Sequence, residues 1–245
     1  MDKSLNYSIE DIDVDGSKMD IFIFAPAGDQ PTPALILAQH IPVGHTGLEN
    51  DTFTLATAQR FADAGYLVAV PFIFHWWPKD ADMMDKAKAS RDELTLKDLK
   101  GTFELLKARQ DVLVDNIGIV GHCWGGRVAW LGASHIPQIS ACAVFYGGRI
   151  KLPMGREHPA PIELAHNMTC EVVGFFGNDD QNPSPVDVDD YESALTKAKV
   201  KYTFYRYDNA GHAFQNFPTP DRYNLDASED AWAKVIPFLN KVLKG

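Results

Sequence analysis

Ile117-Gly118-Ile119-Val120-Gly121-His122-Cys123-Trp124-Gly125-Gly126 is the stretch that decides the fold. A short apolar run rich in β-branched residues leads straight into a glycine-rich turn, and helical spacing takes over across residues 126–134. Strand, sharp turn and helix in that order are the context that a G-x-nucleophile-x-G elbow requires. Glycines allow a strained turn to pass close to neighbouring strands while the central residue, here Cys123, sits at its tip. A thiol at a helix N-terminus is favoured as thiolate by the positive end of the helix dipole. The Trp124 backbone N–H points where an oxyanion can form.

Outward from the elbow the same pattern recurs. Continuous apolar runs at residues 34–38, 67–70, 141–145 and 172–176 read as strands buried on both faces, the signature of a parallel sheet. Residues 19–24 alternate and end at a Pro-Ala-Gly turn, predicting an early strand, and residues 201–207 predict a last one. Helical spacing fills the intervals at 51–64, 94–110, 184–199 and 227–243. Alternating strand and helix predict one α/β domain over residues 1–245, a doubly wound, mostly parallel sheet with helices on both faces. Residues 72–91, with Pro78, two tryptophans and mixed charge, read as a cap or irregular excursion.

Composition narrows the function. The chain has 245 residues, 45% of them hydrophobic, enough for a full core. No apolar run approaches the about 18 residues a bilayer demands, and no apolar segment follows a basic stretch at the N-terminus, so the expected location is the cytoplasm. A formal charge of −10 without a Lys/Arg cluster makes nucleic acid and anionic membranes poor partners. Three cysteines without CxxC spacing argue against a disulfide framework and a cysteine-rich zinc site. Cys142 and Cys170 lie in or beside apolar runs and read as core thiols. The expected partner is a small molecule, and the expected assembly a monomer or small homo-oligomer.

A nucleophile elbow needs a base and an orienting acid later in the chain. His212, in Asn209-Ala210-Gly211-His212-Ala213-Phe214, follows the last predicted strand and is the candidate base. The strand at 172–176 runs into Gly177-Asn178-Asp179-Asp180, which offers two adjacent acids. Asp180 fits a G-x-x-D turn, while Asp179 remains the alternative.

These residues resemble the dienelactone hydrolases (carboxymethylenebutenolidases) of the α/β-hydrolase fold. The resemblance spans nearly the whole chain, through Leu37-Ala38-Gln39-His40-Ile41, Ala64-Gly65-Tyr66, the Cys123 elbow, Phe145-Tyr146-Gly147, Phe176-Gly177-Asn178-Asp179-Asp180 and Gly211-His212-Ala213-Phe214. It implies a Cys123–His212–Asp180 triad, an oxyanion hole from the Ile41 and Trp124 backbone N–H groups, and hydrolysis of small esters or lactones through a thioester without a cofactor. Two departures bear on the substrate. His40 stands where dienelactone-hydrolysing members carry a glutamate. No arginine occupies the positions just after His212, which read Ala213-Phe214-Gln215-Asn216-Phe217.

Further candidates are weaker. His40 is a candidate second proton acceptor, a positive neighbour of Cys123 or a substrate contact. Phe72, Trp76 and Tyr146 are candidate substrate contacts, with core packing as the competing role for the aromatics. Arg149 or Arg91 is a candidate anchor for a substrate anion. His40, His45 and His75 all follow predicted strand ends, which leaves a metal-assisted hydrolase as an alternative, although their spacing matches no ligand motif. A catalytically weak small-molecule binder is the remaining alternative.

Overall fold

The computed structural model describes residues 5–41, 47–155 and 158–245. Its centre is one eight-stranded sheet made of β1 (Ser8–Val14), β2 (Ser17–Phe24), β3 (Thr32–Ala38), β4 (Leu67–Pro71), β5 (Val112–His122), β6 (Ala141–Phe145), β7 (Glu171–Gly177) and β8 (Tyr202–Tyr207), in the order β1-β2-β4-β3-β5-β6-β7-β8. From β4 to β8 every pairing is parallel, and β2 runs antiparallel to both β1 and β4. The parallel strands are the apolar runs of the sequence. β4 and β6 are buried along their entire length, because helices cover both faces and leave no solvated side that would favour alternation.

Among the described residues six α-helices complete the layers: α1 (Thr52–Asp63), α2 (Met83–Ala89), α3 (Asp92–Ala108), α4 (Trp124–His135), α5 (Pro185–Ala198) and α6 (Leu225–Leu243). Right-handed crossovers send α1 and α6 to one face and α3, α4 and α5 to the other. On the first face Phe61 packs on Trp232, with ring centroids 4.8 Å apart. On the second, Arg127 of α4 holds both oxygens of Asp92 of α3 at 2.8 and 2.9 Å, and both side chains are buried. No helix among the described residues is long and apolar enough to cross a membrane.

Two features go beyond the sequence expectation. β1 is an edge strand whose acidic, half-exposed sequence carries little apolar signal, and it folds back on β2 through Asp15-Gly16, both at positive φ. Inside the 72–91 excursion, Asp82 accepts the Met84 and Asp85 N–H groups and starts α2.

The chain order reverses at β3: α1 leads outward to β4, and the next strand, β5, returns to the opposite side of β3. In open α/β sheets this switch point opens a crevice at the carboxyl ends of the strands. Cys123 follows β5 there, and His40 follows β3.

Candidate active site

The elbow is built by glycines because backbone passes where a side chain would stand. A Cβ on Gly121 would lie 1.9 Å from the Gly125 carbonyl oxygen, and one on Gly125 would lie 2.1 Å from that of Ala38. The turn therefore nests between β3 and α4. Cys123 takes φ 55° and ψ −117°, strained for a residue with a Cβ, and its N–H donates to the Phe145 carbonyl at 3.0 Å. Its side chain is half-buried. Trp124 opens α4, so its N–H belongs to the first-turn donors that a helix leaves without an internal partner.

His212 reaches back from the loop after β8. Its Nε2 lies 3.0 Å from Cys123 Sγ, and its Nδ1 donates to Asp180 Oδ2 at 2.8 Å. Asp180 is buried, and its other oxygen accepts the Asn182 N–H at 2.8 Å, which fixes the carboxylate in the turn after β7. Asp179 is exposed and directs its own N–H to the Ala210 carbonyl. Burial pulls the His212 pKa down, but hydrogen bonds to Asp180 and Cys123 and their charges outweigh it and push the ring up to about 10. Tyr146, at φ 38°, packs its ring edge-on to His212 with centroids 5.4 Å apart, and its buried hydroxyl has no hydrogen-bond partner among the described residues.

In front of the thiol lies a cleft of about 400 Å³, bordered by His40, Ile41, Phe53, His212, Asn216 and Arg222 among others. His40 Nε2 donates to Asp51 Oδ1 at 3.0 Å, and the same oxygen accepts the Thr54 N–H that starts α1. Burial raises the Asp51 carboxyl, yet the His40 and Thr54 bonds and the His40 charge bring it below the ordinary value.

The structure corrects several expected contacts. Phe72 and Trp76 do not border the cleft: Phe72 is buried, and the Trp76 indole N–H donates to both oxygens of Asp98 on α3, at 3.1 Å. His75 joins the same anchor, with Nε2 2.9 Å from Asp98 Oδ1 and Nδ1 2.8 Å from Ser17 Oγ. The excursion is thus pinned onto α3. Tyr146 stands beside the His212 ring and does not line the cleft. His40 and His75 pair with different carboxylates, and His45 lies outside the described residues. Among the described residues, no three side chains gather with the donors to hold a metal ion.

Arg91 turns its guanidinium to the Lys88 and Ser90 carbonyls, and Arg149 is exposed outside the cleft. Among the described residues the arginine on the cleft wall is Arg222, ten positions beyond His212 and ahead of α6. Nothing in its local sequence signals this, because the loop must first fold back over the sheet. Asp51 carried a signal: an acid in front of a helical stretch is a natural N-cap.

The dienelactone hydrolase family model matches residues 19–243. A Synechocystis protein provisionally named as a carboxymethylenebutenolidase is 30% identical over 197 residues, covering 76% of this chain and 79% of its own. An Escherichia coli protein with the same provisional name is 27% identical over 221 residues, covering 87% of this chain and 78% of its own. Among solved structures, a provisionally assigned dienelactone hydrolase from Klebsiella pneumoniae superposes with TM-score 0.81 at 24% identity, over 96% of this chain and 98% of that one. A dienelactone hydrolase-like promiscuous phosphotriesterase from metagenomic libraries gives 0.79 at 15% identity, over 97% and 98%. At these identities the two structures show the shared fold.

Proposed function

The chain belongs to the dienelactone hydrolase family, and from that premise we propose that it hydrolyses small carboxylic esters or lactones with Cys123 as nucleophile, His212 as acid and base, and Asp180 as the group that orients His212. The observation that carries this reading is the hydrogen-bonded chain from Asp180 through His212 to Cys123, at the elbow and facing a cleft.

The hydrogen-bonded chain supports a thioester route. The Cys123 thiolate adds to the carbonyl carbon, and the carbonyl electron pair moves onto oxygen, held by the Trp124 and Ile41 N–H groups. Each such donor is worth about 3–4 kcal/mol at the transition state. The intermediate collapses as the imidazolium of His212 gives its proton to the leaving alkoxide, leaving a thioester on Cys123. Neutral His212 then takes a proton from water, the hydroxide adds to the thioester carbon, and the thiolate departs beside the restored imidazolium. Thiolate leaves more readily than an amine, so activated esters and lactones suit this site and amides do not. Arg222 supplies a cation on the cleft wall for a substrate that carries a carboxylate.

The test is hydrolysis of p-nitrophenyl acetate and of a cis-dienelactone by wild type and Cys123→Ala, with chelator present. Both substrates should turn over, and both activities should vanish in the variant. Turnover of the ester alone keeps the thiol chemistry and excludes the acid-bearing lactone. No turnover of either favours a protein that binds its ligand without reaction.

A further inference from the structure

The residue ahead of the nucleophile, His122, is bonded to the loop that carries the base, and none of the steps above uses it. It lies at the end of β5 with 2% of its surface exposed. The Nε2 of its ring is 2.9 Å from Gln215 Oε1, and Gln215, also 2% exposed, is three residues beyond His212. Gln215 Nε2 donates to the Ser228 carbonyl of α6 at 3.3 Å. That bond makes the amide nitrogen the donor on its side and leaves Oε1 as acceptor, so the His122 Nε2 carries the proton.

The ring is held on every side. It stacks on Phe145 at 4.3 Å and 12°, meets Phe53 edge-on at 5.1 Å, and has Tyr146 at 5.8 Å. Burial pulls its pKa down to about 3, against the opposing pull of the Gln215 bond, so the ring is neutral and functions as a hydrogen-bond donor. His122 and Cys123 share one strained turn, and Gln215 and His212 share one loop. The bond between 122 and 215 therefore spans the same two segments as the contact between 123 and 212.

We propose that His122 and Gln215 are positioning residues: their buried hydrogen bond fixes the His212 loop against the nucleophile elbow and sets the distance from His212 Nε2 to Cys123 Sγ. The inference rests on the reading of Cys123 as nucleophile and His212 as its base. A chemical requirement stands behind it. The His212 loop follows the last strand and has other ties: the Asp179 N–H after β7 donates to the Ala210 carbonyl, and Asn224, at the start of α6, donates its side-chain amide to the Asn209 carbonyl and its N–H to the Phe214 carbonyl. Those ties hold the loop to the β7 turn and to α6, whereas the bond from Gln215 to His122 holds it to β5. A misplacement near 1 Å at such a site costs on the order of a hundredfold in rate.

The experiment uses His122→Phe, which keeps the ring stack, and Gln215→Met, which keeps the volume. Each reads the same bond from one side, so either folded variant suffices. Three measurements are made: thermal unfolding, kcat and KM on p-nitrophenyl acetate, and the rate of Cys123 alkylation by iodoacetamide at about pH 6 and about pH 9. Alkylation at the lower pH reads the thiolate held by His212 and needs no knowledge of the substrate. The expected result is a ten- to hundredfold loss in kcat with KM within a few-fold, a similar loss in alkylation at the lower pH, and little change at the higher one. In the double variant the loss should not exceed that of the larger single variant. A lower melting temperature with alkylation and kcat unchanged overturns the proposal and leaves the pair a structural tie. Failure of wild type to hydrolyse any ester, with the alkylation difference intact, overturns the hydrolase reading and retains the positioning role.

Discussion

Cys123 differs from the other two thiols through its surroundings. Burial pushes Cys142 well up and Cys170 up to about 12, whereas Cys123 is half-buried, opens toward the cleft and faces an imidazole. Iodoacetamide at neutral pH should therefore modify one thiol per chain, and peptide mapping should find it at Cys123; equal labelling at Cys142 or Cys170 would contradict this. In the proposed triad Asp180 has a more exact task than supplying charge. With Nδ1–H bound to its carboxylate, His212 must present Nε2 to the thiol. Asp180→Asn keeps the shape but offers N–H as readily as C=O, which permits the wrong tautomer. The expected result is a fall in kcat of roughly 10⁴-fold with KM little changed, as for the corresponding change in a serine triad. Steady-state kinetics on p-nitrophenyl acetate checks it, and a loss below tenfold would mean that Asp180 does not orient the ring.

At the scale of elements, two contacts decide whether the elbow stands. Gly125 lies against the Ala38 carbonyl of β3, so Gly125→Ala places a methyl 2.1 Å from that oxygen and must shift β3 or α4. Circular dichroism and turnover should show a destabilised protein without activity, and a fully active variant would refute the close approach. Beneath α4, Arg127 and Asp92 form a buried pair, and burial raises the Asp92 carboxyl even with Arg127 beside it. Arg127→Met strands that carboxyl and should cost about 3–5 kcal/mol in urea unfolding, whereas replacing both residues by apolar ones should cost much less. The elements themselves were legible where burial is two-sided: β4, β6 and β7 coincide with apolar runs to within a residue or two. β1 was not legible, because an edge strand with one wet face needs few apolar residues, and only Asp15-Gly16 marks its hairpin. Phe72 and Trp76 misled for a related reason. Aromatic residues after a strand serve a pocket or a packed corner equally well, and here Asp98, 22 residues on from Trp76, draws the corner onto α3.

Across the whole molecule the site joins segments far apart in the chain. The elbow and the histidine loop each carry a local motif, so Cys123, Asp180 and His212 stood out as candidates in the sequence. Gln215 and Arg222 did not, and Asp51 was legible only as a helix N-cap, because their places at the site come from the folding of α1 and the loop before α6 toward the ends of β3 and β5. The same long-range closure couples the site to global stability through proton binding. His212 has a folded pKa raised from 6.5 to about 10, so the stabilisation from its charged ring is complete below about pH 6.5 and lost as pH rises through about 10. In wild type the hydrogen bond and charge of Cys123 contribute to that rise alongside those of Asp180. Cys123→Ala isolates the histidine: only Asp180 then opposes the pull of burial, and the pKa must fall below the wild-type value. Ring-proton NMR titration should show that fall, and a further one on adding Asp180→Asn. Urea unfolding of Cys123→Ala and of Cys123→Ala/His212→Gln should then give a stability gap that is widest in acid and closes at the pKa NMR assigns. A gap that stays constant across that range would mean that His212 gains no charge stabilisation on folding.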